Sequence, residues 1–308
     1  MRRLDGLLQG DYRTIFKGHG LDLADIREYA VGDDVRHIDW NVTARLDTPY
    51  VREYLEDREI SAQFLLDLSP SVDFGTVDRR KRDLLLDFTG VLARLLTRHG
   101  NRVGATLYGS RVERAIPARG GRIQVLRLLN ELERRPRLER APLTSLSELL
   151  DAGMRALKRR SLVFVVSDFF SAPGWEDRLV RLARKHETIA VRLVDPREEE
   201  LPDVGPIVLT DSETGEQIRV DTHDRGFRAR FSEAARQREE RLAAAFARSG
   251  VDVLALRTDE SLVHAIVRFA YARKQRAAAR ANPASRGQGK APSPAQTAAK
   301  RSAQAAVA

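Results

Sequence analysis

The run Ser161-Leu162-Val163-Phe164-Val165-Val166-Ser167 restricts the fold more than any other stretch, because everything between its two serines is apolar. A strand with one wet face alternates apolar and polar residues. A strand that is apolar on both sides of its pleat must be covered on both faces, as in the centre of a parallel sheet. Thr188 to Val194 reads the same way, and Phe64 to Leu66 lie in a third buried strand within Ser61 to Asp67. Amphipathic segments separate these strands. Leu84, Leu85, Phe88, Val91, Leu92, Leu95 and Leu96 form one stripe of a helix that Thr76 or Asp78 can cap and that runs to about His99. Further helices are predicted over Ile123 to Glu133, Ser147 to Arg159, Trp175 to Lys185, Arg225 to Ser249 and Ser261 to Ala272, with strands over Arg102 to Tyr108 and Val251 to Leu256. This alternation predicts an α/β fold with a doubly wound, mainly parallel sheet. Arg111 to Ile116, after Gly109-Ser110, predicts one antiparallel edge strand. Ile207 to Thr210 and Gln217 to Val220 predict a separate exposed hairpin.

Three parts are expected: an N-terminal segment over 1–60, the α/β domain over 61–273, and a disordered basic tail over 274–308. The net charge is +9, but eight of the 53 basic residues and none of the 44 acidic ones lie from Arg273 onward. Residues 1–272 are therefore nearly neutral, which argues against a nucleic-acid-binding body. There is no cysteine, hence no disulfide framework or thiolate metal site. No apolar run approaches the ~18 residues of a membrane span, and no apolar leader follows Met1-Arg2-Arg3. These features predict a cytoplasmic protein without a membrane span. Residues 1–60 are dense in charge and glycine with no clean period. They read either as a polar segment that satisfies its own charges or as a docking surface, with Val51 to Glu59 as an extended lead into the first central strand.

The chemistry gathers at strand ends. Asp67-Leu68-Ser69-Pro70-Ser71 puts one carboxylate and two hydroxyls at alternate positions just past a strand, where open α/β sheets bind ligands. Thr144 lies in the loop Pro142-Leu143-Thr144-Ser145, and Asp168 ends the Val165-Val166-Ser167 strand. A hard cation such as Mg²⁺ or Mn²⁺ takes about six oxygens and keeps several waters. Asp67, Ser69, Ser71, Thr144 and Asp168, converging from three loops, make a candidate site for one such ion. The alternative is that the serines only cap a turn and Asp168 only caps a helix. Arg79-Arg80-Lys81-Arg82 follows the Asp67 loop, at the helix end where cations are disfavoured. It reads as a solvated face or as a positive rim around the site. His19, His37, His99, His186, His223 and His264 occupy unrelated contexts, and no H-E-x-x-H, G-x-S-x-G or phosphate-loop pattern occurs.

D-x-S-x-S, then Thr, then Asp at the end of a central strand resembles the metal-ion-dependent adhesion site of von Willebrand factor type A domains. The segment Gly32 to Arg45, G-D-D-V-R-x-I-D-W-x-x-T-A-R, resembles the signature of a bacterial family, domain of unknown function fifty-eight, which carries it just before a type A domain. Ser167-Asp168-Phe169 and Asp195-Pro196-Arg197-Glu198-Glu199-Glu200-Leu201-Pro202 are similar to later stretches of that family. The resemblance implies a metal-dependent protein-binding module that takes an exposed Glu or Asp of a protein partner. It also implies a link to MoxR-type AAA+ ATPases in assembly or metal insertion. Many relatives carry N-terminal membrane helices; no such run occurs here. Phe169 stands where many type A domains have glycine, which implies a differently shaped loop. Two other classes remain open: a Mg²⁺-dependent hydrolase such as a phosphatase, and a nucleic-acid-associated protein acting through its tail.

Overall fold

The computed structural model describes residues 26–30, 33–46, 48–52, 60–77, 79–138, 141 and 143–281. The N-terminal elements pair among themselves. Strand β1 (Ile26–Glu28) runs antiparallel to β2 (Tyr50–Arg52), with helix α1 (Trp40–Leu46) between them. Several of the described polar residues of this segment pair internally. Asp33 takes a two-pronged ion pair from Arg27, which holds its carboxyl at about 2. Asp39 caps α1 through the amides of Asn41 and Val42, and the Thr43 hydroxyl accepts from the Tyr50 amide. The described part of this segment holds regular elements that period-reading missed because none exceeds seven residues. Gly32, and all but Val51 and Arg52 of the extended lead Val51 to Glu59, lie outside the described residues.

From Ser61 the chain alternates as expected. In order come β3 (Ser61–Asp67), α2 (Lys81–Arg98), β4 (Arg102–Tyr108), β5 (Val112–Arg119), α3 (Arg122–Glu133), α4 (Leu146–Ala156), β6 (Leu162–Ser167), α5 (Trp175–Lys185) and β7 (Glu187–Val194). Then follow the hairpin β8 (Pro206–Thr210) and β9 (Gln217–Asp221), α6 (Arg225–Ser249), β10 (Asp252–Arg257) and α7 (Leu262–Ala281). Six strands form one sheet in the order β10-β7-β6-β3-β4-β5, parallel throughout except for β5. This is a doubly wound, mainly parallel sheet with one antiparallel edge strand.

Side-chain alternation along each strand divides the core into two layers. Phe64 and Leu66 point to the face covered by α2, α3 and α7, where Phe64 stacks on Phe164 at 5.1 Å and Phe88 meets both rings edge-on. Leu65, Val163 and Val165 point to the opposite face, under Leu149 of α4, Leu179 of α5 and Phe246 of α6. Gly153 lets α4 approach closely, since a Cβ there would stand 2.6 Å from Leu65 Cδ1. The order β6-β3-β4 reverses direction beside β3, so the crevice at its carboxyl end is a topological switch point. The last helix runs past Ala272 to Ala281, so a tail boundary at Lys274 falls inside a helix. Residues 282–308 lie outside the described residues.

Candidate functional site

β3 delivers Asp67 to the carboxyl edge of the sheet, fully buried. Its Oδ2 accepts from Ser167 Oγ of β6 at 2.6 Å, and its Oδ1 from the Ser69 amide at 3.0 Å. Pro70 then starts a single 3₁₀ turn, Pro70–Asp73. Ser69 stands at the N-cap of that turn, yet its hydroxyl makes no cap bond. It lies 3.2 Å from Ser71 Oγ, and both serines are buried. Turn capping therefore does not account for the Ser69 hydroxyl.

Asp168 follows β6. Its Oδ1 accepts from the Phe170 amide at 3.0 Å, so it shapes its own loop; the cap of α5 is Gly174. Its Oδ2 accepts from Lys81 Nζ at 2.6 Å, and the same ammonium donates to Glu198 Oε1 at 2.5 Å. Phe169 is the one non-glycine residue with positive φ among those described, at 61°. Its backbone lies in the left-handed region that glycine favours. Burial of the ring against Trp175 at 5.3 Å and Phe246 at 5.0 Å offsets the strain.

Thr144 comes from the loop before α4. Its carbonyl accepts from Ser171 Oγ and the Ala172 amide, each at 2.9 Å, which ties it to the loop after β6. The next amide, of Ser145, donates to the Tyr108 hydroxyl at 2.9 Å, while the Tyr108 carbonyl accepts from the Leu68 amide. Thr144 is thus carried beside the Asp67 loop through Tyr108, with no direct hydrogen bond to Asp67, Ser69, Ser71 or Asp168. Its own hydroxyl and amide donate to Glu213, at 2.5 and 3.0 Å.

Burial pushes the Asp67 carboxyl up to about 6, and the charge of Asp168 pushes in the same direction, against hydrogen bonds from Ser167 and Ser69. Burial alone would lower Lys81, but Asp168 and Glu198 outweigh it and hold the ammonium above its ordinary range. Burial raises Glu198, with Asp168 adding to the rise and Lys81 opposing it.

The basic cluster after the site is not one feature. Lys81 is wholly buried, and Arg82 turns inward to Asp73 and the Arg135 carbonyl. Only Arg79 and Arg80 remain exposed, so neither a four-residue solvated face nor a four-residue rim exists. α2 begins at Lys81 with Arg80 at the N-cap, whose amide donates to Asp83. Thr76 caps nothing; its amide and hydroxyl bond Asp195 instead. Asp78 lies outside the described residues. Sequence reading took Lys81 only as part of a basic face or rim, and did not single out Glu198, Glu213 or Ser167. The last lies in Ser167-Asp168-Phe169, and Glu198 in the acidic stretch after Asp195, so those two similarities were the available signals.

The donor set suits a hydrated hard cation. Two oxygens bound to one octahedral Mg²⁺ at ~2.1 Å stand about 3 Å apart when adjacent, close to the 3.2 Å between Ser69 and Ser71 Oγ. Asp67 is a buried carboxylate whose hydrogen bonds come from Ser167 and Ser69, and among the described residues no cationic side chain is bonded to it. Buried charges require such a partner. Lys81 pairs with Asp168 and Glu198, and it makes no hydrogen bond to Asp67 or Glu213. No cluster of three or more His, Cys, Asp or Glu able to hold a metal exists among the described residues, so hydroxyls and waters would supply most ligands.

The sheet and its covering helices define a doubly wound, mainly parallel α/β domain. Residues 25–241 match the family described as "Protein of unknown function DUF58", and the chain belongs to that family. It is 36% identical over 278 residues to the uncharacterized protein Rv1480 of Mycobacterium tuberculosis, covering 90% of this chain and 87% of that one. An uncharacterized protein of Mycobacterium avium, MAV169, is also 36% identical, over 53% of this chain and 96% of its own length. Among solved structures, the chain is similar to the conserved hypothetical protein BatB from Bacteroides thetaiotaomicron, with TM-score 0.46 and 13% identity over 70% of this chain and 99% of that one. It is also similar to the SpRpn10 VWA domain, with TM-score 0.39 and 11% identity over 68% and 94%. No helix among the described residues is long and apolar enough to cross a membrane.

Proposed function

We propose that this chain is a protein-interaction module whose strand-end site holds a divalent cation, Mg²⁺ or Mn²⁺, and through it an acidic side chain of a protein partner. The observation that carries the reading is the Ser69–Ser71 hydroxyl pair beside the buried carboxylate of Asp67. Asp67 holds the turn by accepting from the Ser69 amide, and Ser167 holds Asp67. A bound cation would act as an electrophile for a partner's carboxylate, because hydroxyl ligands leave its charge largely uncompensated. The partner class that the family resemblance implies, a MoxR-type AAA+ ATPase, is the first candidate for capture.

Titration of the full chain with Mg²⁺ and Mn²⁺, followed by calorimetry and thermal melting, tests the reading. Binding to the folded state alone adds about 2.7 kcal/mol at a hundred times Kd. Wild type is expected to bind and to melt higher. Asp67→Ala and Ser69→Ala are expected to stay folded and lose both effects. Absence of heat and of a melting shift in wild type rejects the metal site.

A further inference from the structure

The β8–β9 hairpin is a sheet of its own, separate from the six-stranded one. Its strands are mostly exposed, whereas Glu213 at its tip is buried, with 8% of its surface exposed. The tip is shaped to deliver that residue. Asp211 Oδ1 accepts from the amides of Glu213 and Thr214, and Gly215, at φ 75°, turns the chain back to Asp211. At the base, the Thr222 hydroxyl donates to the Gly205 carbonyl and accepts from the Val204 amide. Between base and tip the hairpin reaches the loop before α4. There the Glu213 carboxylate takes both the amide and the hydroxyl of Thr144, and its carbonyl accepts from the Ala141 amide.

Thr144, like Asp168, has no hydrogen bond to the other candidate site residues, and its hydroxyl proton is committed to a carboxylate of the same chain. A threonine oxygen that donates its proton still has lone pairs for a cation. We propose that Glu213 is a built-in acidic ligand of the site: it takes the position beside Thr144 that a partner's carboxylate would take, and a partner must displace the hairpin tip to bind. This rests on the metal reading above. It also specifies the partner, whose acid must stand on a projecting turn able to enter where the Glu213 turn enters.

The test uses the full chain, Mn²⁺ alone as the metal probe, and acetate as a small free carboxylate. Glu213→Gln and Glu213→Ala are expected to weaken Mn²⁺ binding about tenfold, the usual scale for losing a group that supports a metal site. Acetate at tens of millimolar should restore affinity to Glu213→Ala and leave wild type unchanged. A second readout needs no metal: with chelator present, the amide of Thr144 and those of the hairpin should exchange hydrogen faster in Glu213→Ala than in wild type. Mn²⁺ binding by wild type with undiminished affinity in both variants, or no acetate effect on Glu213→Ala, overturns the proposal and leaves the metal reading standing. Unchanged exchange at Thr144 overturns it without reference to metal. No Mn²⁺ binding by wild type removes the metal reading and this proposal with it. Should Glu213→Ala not fold, Glu213→Gln decides: unaltered affinity overturns the proposal.

Discussion

Lys81 Nζ lies 2.6 Å from Asp168 Oδ2, and neither side chain is exposed to solvent. Lys81 is the second half of a buried charge cluster, since it also reaches Glu198. Breaking a buried pair by removing one partner leaves an uncompensated charge and costs about 3–5 kcal/mol. Lys81→Met keeps the length and apolar stem of the side chain and removes only the charge. It is expected to lower the free energy of unfolding in urea by that amount. A loss below about 1 kcal/mol, the scale of an exposed pair, would show that the cluster reorganises or hydrates.

Asp195 gives a pH dependence with a definite sign. Burial pushes its carboxyl up, but hydrogen bonds from the Thr76 hydroxyl and amide, the Arg197 amide and the Thr258 hydroxyl outweigh burial and hold it below the ordinary range. A carboxyl that is more acidic folded than unfolded stabilises the fold above the unfolded pKa of about 4, and this is lost as pH falls through and below that value. Asp195→Asn should therefore be less stable than wild type at neutral pH, by about 1–3 kcal/mol. The gap should narrow on acidification below about pH 4. Urea midpoints across that range check it, and a pH-independent gap refutes it.

Phe169 combines strain with payload. Its positive φ costs about 1–2 kcal/mol for a residue with a Cβ, while its ring fills the Trp175–Phe246 cluster. Removing a buried phenyl ring costs about 3–5 kcal/mol. Phe169→Gly is expected to be destabilised by less than that, because the strain is relieved. Phe246→Ala, which vacates the same cluster without relieving strain, should cost more. The two unfolding free energies, measured side by side, decide: an equal or larger loss in Phe169→Gly shows that the loop carries no strain.

The sheet was legible because its strands are apolar on both faces and its helices carry clean stripes, as in Leu162–Ser167 and Lys81–Arg98. The oxygens of the Asp67 loop were legible because they sit at alternate positions right after a strand. Lys81 was not. A lysine in the first turn of a helix looks like a solvated charge, and only Asp168 and Glu198, 87 and 117 positions away in the chain, make burial tolerable. Glu213 was equally hidden, 69 positions from Thr144 in a hairpin that reads as surface. The end of α7 was missed for another reason. Beyond Ala272 its residues are alanine, arginine, lysine and glutamine, good helix formers with no apolar period, so propensity rather than burial extends it.

Tyr108 touches two loops with two different atoms. Its carbonyl fixes Leu68, next to Asp67, and its hydroxyl fixes Ser145, next to Thr144. A side chain that is itself clamped in β4 therefore sets a near-constant span between the two loops. Neither can swing outward alone without breaking a bond to the same rigid strut, so a displacement imposed at Thr144 is felt at Leu68. One residue thus sets the distance between the two loops, as the fixed jaw of a caliper would.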